Sequence, residues 1–292
     1  MDKALMTQRV NFVLDVDIRT FFDSVDHGWL MRMLAHRIAD PRVLRLIKRW
    51  LEAGVLESGQ WSAAEAGTPQ GSGISPVLAN VFLHYVADLW VHQWRRRRAA
   101  GQVIVCRYAD DMVLGCQFEA DGKQLLADLK DRLEQFGLSL HEGKTRLIEF
   151  GRFAAHNRAA AGLRRPETFD FLGFTHYCGK TRRNKFMVKR KTQAKRLVRK
   201  LKAIREEMQR RMHAPVREQH RWLCQVLNGH YQYFGVIFNY RSMRVFKDCV
   251  VRQWRKALGK RSQKGRMNWA TYRKLLTAFP LPEPVIHQAW QQ

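Results

Sequence analysis

The residues of this chain best suited to chemistry are two adjacent acids, Asp110 and Asp111, set inside an apolar stretch. Val103-Ile104-Val105-Cys106-Arg107-Tyr108 leads into Ala109-Asp110-Asp111, and Met112-Val113-Leu114-Gly115 leads out. Apolar, β-branched residues on both sides predict strand, tight turn, strand, with the acids at the turn. Neighbouring carboxylates in apolar surroundings are costly to desolvate unless a positive charge compensates them. A divalent cation does so naturally, because hard oxygen ligands suit Mg²⁺. Asp is also common in solvated turns, and the pair alone fits that reading equally well. Asp17 is the third acid of interest, at the end of the apolar run Val10 to Ile18. Taken alone it reads as a turn residue or a helix cap. Three Asp at the ends of adjacent buried strands can instead converge on a metal pair, which activates an attacking oxygen and stabilises a leaving one in phosphoryl transfer.

The elements that must position these acids follow from spacing. Residues 10–18 predict a buried strand, and residues 19–27 a turn and helix start with Ser24 or Asp26 as cap. Apolar residues at helical spacing predict helices over 28–53, punctuated at Asp40-Pro41. Residues 55–68 read as short, polar and turn-like. Gly67 to Pro76 holds three Gly and two Pro in ten residues, predicting a loop of special backbone geometry. A long apolar helix is predicted from Pro76 to about Trp94, closed by Arg95 to Arg98. Residues 121–137 predict an amphipathic helix, and short strands are expected at Leu138–Leu140 and Leu147–Phe150. Residues 152–168 lack periodicity and read as a connector. Phe169 to Phe174 opens a hairpin whose return strand is expected at Lys185–Lys189. Helices are predicted over about 192–213, 215–235 and 242–258, followed by an extended Pro-rich tail.

Charge divides the chain. Residues 1–151 hold 19 Lys+Arg and 19 Asp+Glu, whereas residues 152–292 hold 33 and 7, so the whole net charge of +26 lies in the second part. A balanced part with clustered acids followed by a strongly basic part predicts a catalytic region joined to a grip for a polyanion, most often nucleic acid. The five cysteines have no C-x-x-C spacing, which argues against a zinc module or a disulfide framework. Isolated reduced thiols point to an intracellular, cytoplasmic protein. No apolar run approaches membrane-spanning length, so no membrane partner is expected.

Five motifs in order carry a family resemblance: Asp17–Asp23 (DIRTFFD), Gly67–Pro76 (GTPQGSGISP), Tyr108–Asp111 (YADD), Gly137–Thr145 (GLSLHEGKT) and Phe171–Phe174 (FLGF). Their order and spacing resemble the palm of reverse transcriptases. The wording TPQG…SPVLAN, RYADD, KTRLIEFGR and FDFLGFTHYC is similar to that of bacterial group II intron reverse transcriptase/maturases, over about Val10 to His287. The resemblance implies an α+β fold: a small antiparallel sheet packed on helices as palm over residues 1–151, a connector and primer-grip hairpin over 152–190, and a basic, mainly helical thumb and maturase domain over 191–292. It also implies a fingers region ahead of the first acidic motif. The chain starts shortly before that motif, so a partial palm lacking fingers is expected.

By the same resemblance, Asp17, Asp110 and Asp111 would hold catalytic Mg²⁺. Phe22 would be the aromatic gate under the incoming sugar, or else a core aromatic. Gln70 and Gly71 would contact the incoming dNTP, and Lys144 would sit near its triphosphate. Phe171, Leu172 and Gly173 would form the primer grip. Lys195, Arg196, Arg199, Lys200 and Arg205 would contact phosphates from one face of the basic helix, the alternative being a solvated charged face. The implied partners are an intron RNA template, a DNA primer or target, and dNTPs. The implied activity is RNA-directed DNA polymerase with a maturase role in splicing. The alternative is a non-catalytic RNA-binding splicing factor or inactive remnant.

Overall fold

The computed structural model describes residues 1–52, 55–57, 60–62, 67, 73–261 and 267–287. In chain order the elements are α1 (Asp2–Thr7), β1 (Phe12–Val16), a 3-10 turn (Phe21–Asp23), α2 (His27–Ala35), α3 (Pro41–Glu52), β2 (Val55–Glu57) and β3 (Gln60–Ser62). Then come α4 (Ser75–Leu83), a π turn (His84–Asp88), α5 (Leu89–Arg97), β4 (Val103–Tyr108), β5 (Asp111–Cys116), α6 (Glu119–Glu134), β6 (Arg146–Glu149) and α7 (Ala154–Ala160). The rest comprises β7 (Phe169–Phe171), β8 (Phe174–Lys180), β9 (Phe186–Thr192), α8 (Ala194–Arg210), α9 (Val216–Phe234), α10 (Tyr240–Gly259) and α11 (Trp269–Ala278). The chain divides into two compact units, residues 1–172 with 177–188, and residues 173–176 with 189–292.

The first unit is organised around an antiparallel sheet of order β4-β5-β1-β6. Its central strand β1 reads Phe-Val-Leu-Asp-Val, apolar on both faces, as a strand covered on both sides must be. Leu14, Val16, Met112, Leu114 and Cys116 face one core, shared with Leu30 of α2, Phe82 of α4 and Leu125, Leu129 and Leu133 of α6. Val13, Ile104, Val113 and Ile148 face a second core with Phe150, Phe169 and Phe171. Asp26 caps α2 by accepting from the backbone N–H of Trp29 at 2.7 Å. A sheet with helices on it is the α+β palm architecture that the motifs imply.

The second unit packs α8 to α11 around one core that includes Ile204, Met208, Leu223, Leu227, Phe246, Trp254 and Tyr272. Leu197, Leu201, Ile204 and Met208, at helical spacing, form the stripe of α8 that enters it. Two buried amides lock the loops. Gln219, 1% exposed, donates to the carbonyls of Arg211, Met212 and Ala214 and accepts from Trp254 Nε1 at 2.8 Å. Asn239, fully buried, accepts from the N–H of Thr192 at 2.7 Å and donates to the Phe234 carbonyl at 2.8 Å.

Several local expectations are corrected. Part of the turn-like stretch 55–68 is the β2–β3 hairpin. The connector 152–168 contains α7, whose Ala-rich sequence favours helix while burying only Ala154. At Leu138–Leu140 there is a single bridge, Ile18 to Leu140, in place of a strand. The hairpin after residue 169 is a three-stranded β7-β8-β9 meander. The helix expected from Pro76 to about Trp94 is interrupted by the π turn and runs on to Arg97. Between the helix expected over about 242–258 and the tail there is a further helix, α11, capped by Asn268, which accepts from Thr271 N–H at 2.8 Å.

Candidate active site

Strand register determines which acids meet. β1 and β5 pair antiparallel through Asp15↔Val113 and Val16↔Met112. The ladder ends there; continued by one step beyond β1, its register sets Asp17 opposite Asp111, the first residue of β5. Directly opposed residues share a face of the sheet, so Asp15, Asp17 and Asp111 lie on the same face. That face is apolar at one end, where Val13, Val113 and Ile148 pack, and acidic at the other. Asp110 sits in the two-residue turn between Tyr108 and Asp111, which pair across the hairpin. Asp111 is exposed, and Asp17 and Asp110 are half-buried.

The desolvation expected for the twin acids therefore falls elsewhere. Asp15 retains 20% side-chain exposure and lies 3.6 Å from its cross-strand neighbour Arg146. Burial pushes its carboxyl up to about 6, Arg146 pulls the other way, and the charges of Asp170 and Asp111 add to the rise. The signal was present in the sequence: Asp15 and Asp17 are two apart in a strand, hence on one face.

Lys144 projects from the turn after Leu140 and makes a 2.8 Å ion pair with Asp17 Oδ2. Backbone bonds fix this turn to the end of β1: the N–H of His141 donates to the Asp17 carbonyl at 2.8 Å, and that of Arg19 to the Ser139 carbonyl at 2.9 Å. Phe22 is partly buried against the first core, while its neighbour Phe21 is the one fully inside. Gly67 fits tightly against the Phe22 segment. Its φ is +88°, and a β-carbon there would come within 2.8 Å of the Phe22 carbonyl, so only glycine suits the position. Its N–H bonds to the Val25 carbonyl at 2.9 Å. Gln70 and Gly71 lie outside the described residues.

The acid turn is held by a network that sequence reading did not find. Ala109 has φ +54°, a left-handed conformation that costs a non-glycine residue about 1–2 kcal/mol. Arg107 Nη1 donates to the Ala109 carbonyl and to Asn80 Oδ1, each at 2.9 Å. Its Nε and Nη2 grip Asp88 in a bidentate pair at 2.7 and 2.5 Å. Asn80 and Asp88 are eight residues apart, about 80° out of line in a regular helix of 3.6 residues per turn. The π turn at His84–Asp88 departs from that regular helix between the two residues. It is itself supported from α6, where Arg132 donates to the carbonyls of Val86 at 3.2 Å and Tyr85 at 3.4 Å. A π turn next to a functional site is a recurring device.

The remaining predicted residues fall as follows. Phe171 is buried in the second core, and Leu172-Gly173, with φ of +49° and +77°, form the tight turn joining β7 to β8. The close approach at Gly173 is by the Arg196 side chain, 3.0 Å from where a β-carbon would stand. Lys195, Arg196, Arg199, Lys200 and Arg205 are all exposed on α8. Further along that helix acids do reappear, with Lys202–Glu206 and Arg211–Glu207 pairs.

Hard oxygen donors suit Mg²⁺, which takes one or two carboxylates and keeps its other places for water and substrate phosphates. Asp17 and Asp111 on one open face meet that requirement. No group of three or more His, Cys, Asp or Glu able to hold a metal ion occurs among the described residues. Two carboxylates of this kind suit a cation that shares its remaining places with water and phosphate.

An antiparallel sheet backed by helices, with carboxylates at one end of its central strands, fits the α+β fold that the motifs imply. The chain belongs to the reverse transcriptase (RNA-dependent DNA polymerase) family, whose profile matches residues 2–176. It is 32% identical to Protein YkfC of Escherichia coli over 132 residues, 36% of this chain and 34% of that protein. It is 43% identical to the group II intron-encoded protein LtrA of Lactococcus lactis over 68 residues, 23% of this chain and 11% of that one. Over 210 residues it is 25% identical to the putative COX1/OXI3 intron 1 protein of Saccharomyces cerevisiae, 54% of this chain and 25% of that one. The chain thus spans about a third or less of these relatives. Its resemblance to group II intron reverse transcriptase/maturases is matched by relatives named as intron-encoded and intron proteins. No helix among the described residues is long and apolar enough to cross a membrane.

Proposed function

We propose that this chain is an RNA-directed DNA polymerase of the group II intron type, extending a DNA primer on an intron RNA template and binding that RNA for splicing. The observation that carries the reading is the juxtaposition of Asp17 with Asp111 beside the Asp110 turn, with Lys144 at 2.8 Å from Asp17. Asp17, Asp110 and Asp111 would hold Mg²⁺. When bound, the cation supplies charge stabilisation at the transferring phosphoryl group and lowers the pKa of the attacking hydroxyl.

The chain's own residues do the rest. Lys144 neutralises Asp17 when no substrate is present, and its exposed ammonium exchanges that carboxylate for an incoming triphosphate. Phe22, held at the start of the Gly67 contact, presents a ring beneath the sugar and favours a deoxyribose. Arg107, Asn80 and Asp88 keep the acid turn in one conformation, so that the carboxylates need no rearrangement during reaction. The turn Leu172-Gly173 presents backbone to the primer, and the cations of α8 neutralise phosphates.

The test is primer extension on an RNA template with Mg²⁺ and dNTPs. The reading requires extension by the wild-type chain and its loss in Asp110→Ala and Asp111→Ala. A second reading, a non-catalytic RNA-binding factor, is favoured by the concentration of charge in residues 152–292. It predicts intron RNA binding with steep salt dependence and no extension.

A further inference from the structure

Within the second unit, α8 and α9 enclose an open groove of about 770 Å³, within the size range of small-ligand sites. Its rim carries Arg196, Arg199 and Lys200, none of which forms an ion pair with an acid among the described residues. Among the described residues no acidic side chain lines it. The walls are apolar and aromatic: Leu197 and Val226 on the two helices, Tyr233 with half its surface exposed, and the ring of His230. His230 is 7% exposed, stacked 3.8 Å from the Phe246 ring. Burial, with Lys200 adding to it, depresses its pKa to about 4, so the wall it offers is uncharged at neutral pH.

Gly229 lines the same groove in mid-α9. A β-carbon there would meet nothing within 4 Å beyond its own helical turn and chain neighbours. Glycine in a helix interior costs about 1 kcal/mol relative to alanine, and no close approach within the chain requires it here. What its missing side chain provides is open space in the groove.

We propose that this groove is a slot for one unpaired nucleotide of a bound nucleic-acid strand: the base enters the apolar space over Gly229 beside Tyr233, and its flanking phosphates lie on Arg196, Arg199 and Lys200. The slot rests on the nucleic-acid-binding reading above and adds to it. A row of phosphate contacts holds any strand equally, whereas the slot distinguishes an extruded base from a paired one. A flat π-face suits any of the four bases, so the preference is for an unpaired position and not for a sequence.

The test measures affinity of the full chain for three duplexes of equal length at fixed salt: fully paired, with a one-nucleotide bulge, and with an abasic bulge. Each is made in RNA and in DNA form. The bulged duplex is expected to bind about tenfold tighter than the other two, the size of one base–aromatic stack. A 2-aminopurine placed at the bulge should change its fluorescence on binding. Gly229→Trp fills the slot and should abolish the tenfold preference while leaving paired-duplex affinity unchanged. Gly229→Ala should keep the preference. Should Gly229→Trp not fold, Tyr233→Ala must remove the preference in its place. Equal binding of all three duplexes by the wild-type chain overturns the slot alone, as does a preference that survives both Gly229→Trp and Tyr233→Ala. Absence of binding to any duplex overturns the nucleic-acid reading itself.

Discussion

Replacing Arg107 by Met separates two effects of one side chain. The first is stability. Arg107 is 11% and Asp88 28% exposed in their bidentate pair, and removing one partner of a buried pair leaves the other charge uncompensated. Partial solvent access to Asp88 reduces the penalty to about 2–3 kcal/mol, below the full range for a buried pair. The second effect is on the acid turn. Arg107 Nη1 alone bridges Asn80 and the Ala109 carbonyl among the hydrogen bonds of the described residues. Without it, the left-handed Ala109 has its strain of about 1–2 kcal/mol opposed by one charge-assisted bond fewer. A shift of about 1 Å in Asp110 and Asp111 is enough to cost on the order of 100-fold in rate. Urea denaturation reads the first effect and single-turnover primer extension the second. Arg107→Met combined with Asp88→Leu distinguishes them, because an apolar pair of similar volume is often neutral for stability. The double variant should regain most of the lost stability and none of the lost rate. Extension within about threefold of wild type in Arg107→Met, or recovery of both quantities together, would refute the positioning role.

Four further outcomes are expected. Ala109→Gly should stabilise the chain by about 1 kcal/mol, read as a higher urea midpoint, because glycine adopts the positive φ without strain. Unfolded His230 takes up its proton near its ordinary 6.5, whereas the folded residue does so only at about 4. Stability is therefore lost as pH falls across that window, by up to about 3 kcal/mol. His230→Phe should flatten that slope in urea midpoints measured from pH 7 to 4. Gln219→Leu strands the carbonyls of Arg211, Met212 and Ala214 and the indole N–H of Trp254, and should lower stability by about 2–4 kcal/mol in the same assay. Lys144→Ala breaks a largely exposed pair, so the urea midpoint should move by less than about 1 kcal/mol while primer extension falls.

How far these features were legible in the sequence depends on whether a local pattern carries them. The β4–β5 hairpin and β1 are written in alternating apolar residues with acids at their ends, and both form. The stripe of α8 is likewise local, as is the cap at Asp26. Elements that bury little left no such trace. α1 buries only Leu5, and α7 only Ala154, so neither has a periodic apolar face. The π turn depends on Arg132 of α6 reaching two carbonyls 46 and 47 residues earlier, a tertiary contact with no signature in residues 84–88. The Arg107–Asp88 clamp joins a strand to that turn and was hidden for the same reason. The sequence marks the acids, but not their environment. Asp111 is exposed and Asp110 half-buried, and the carboxyl that burial shifts is Asp15, directly opposite Arg146 on the neighbouring strand.

The most direct measurement of the central claim is Mg²⁺-dependent extension of a DNA primer on an RNA template by this chain, compared with Asp17→Asn, Asp110→Asn and Asp111→Asn of unchanged fold. The wild-type chain should extend the primer, and each substitution should lower extension by several orders of magnitude while RNA binding persists. Extension that survives all three substitutions, or a well-folded wild-type chain that binds template and primer yet adds no nucleotide, would contradict that claim.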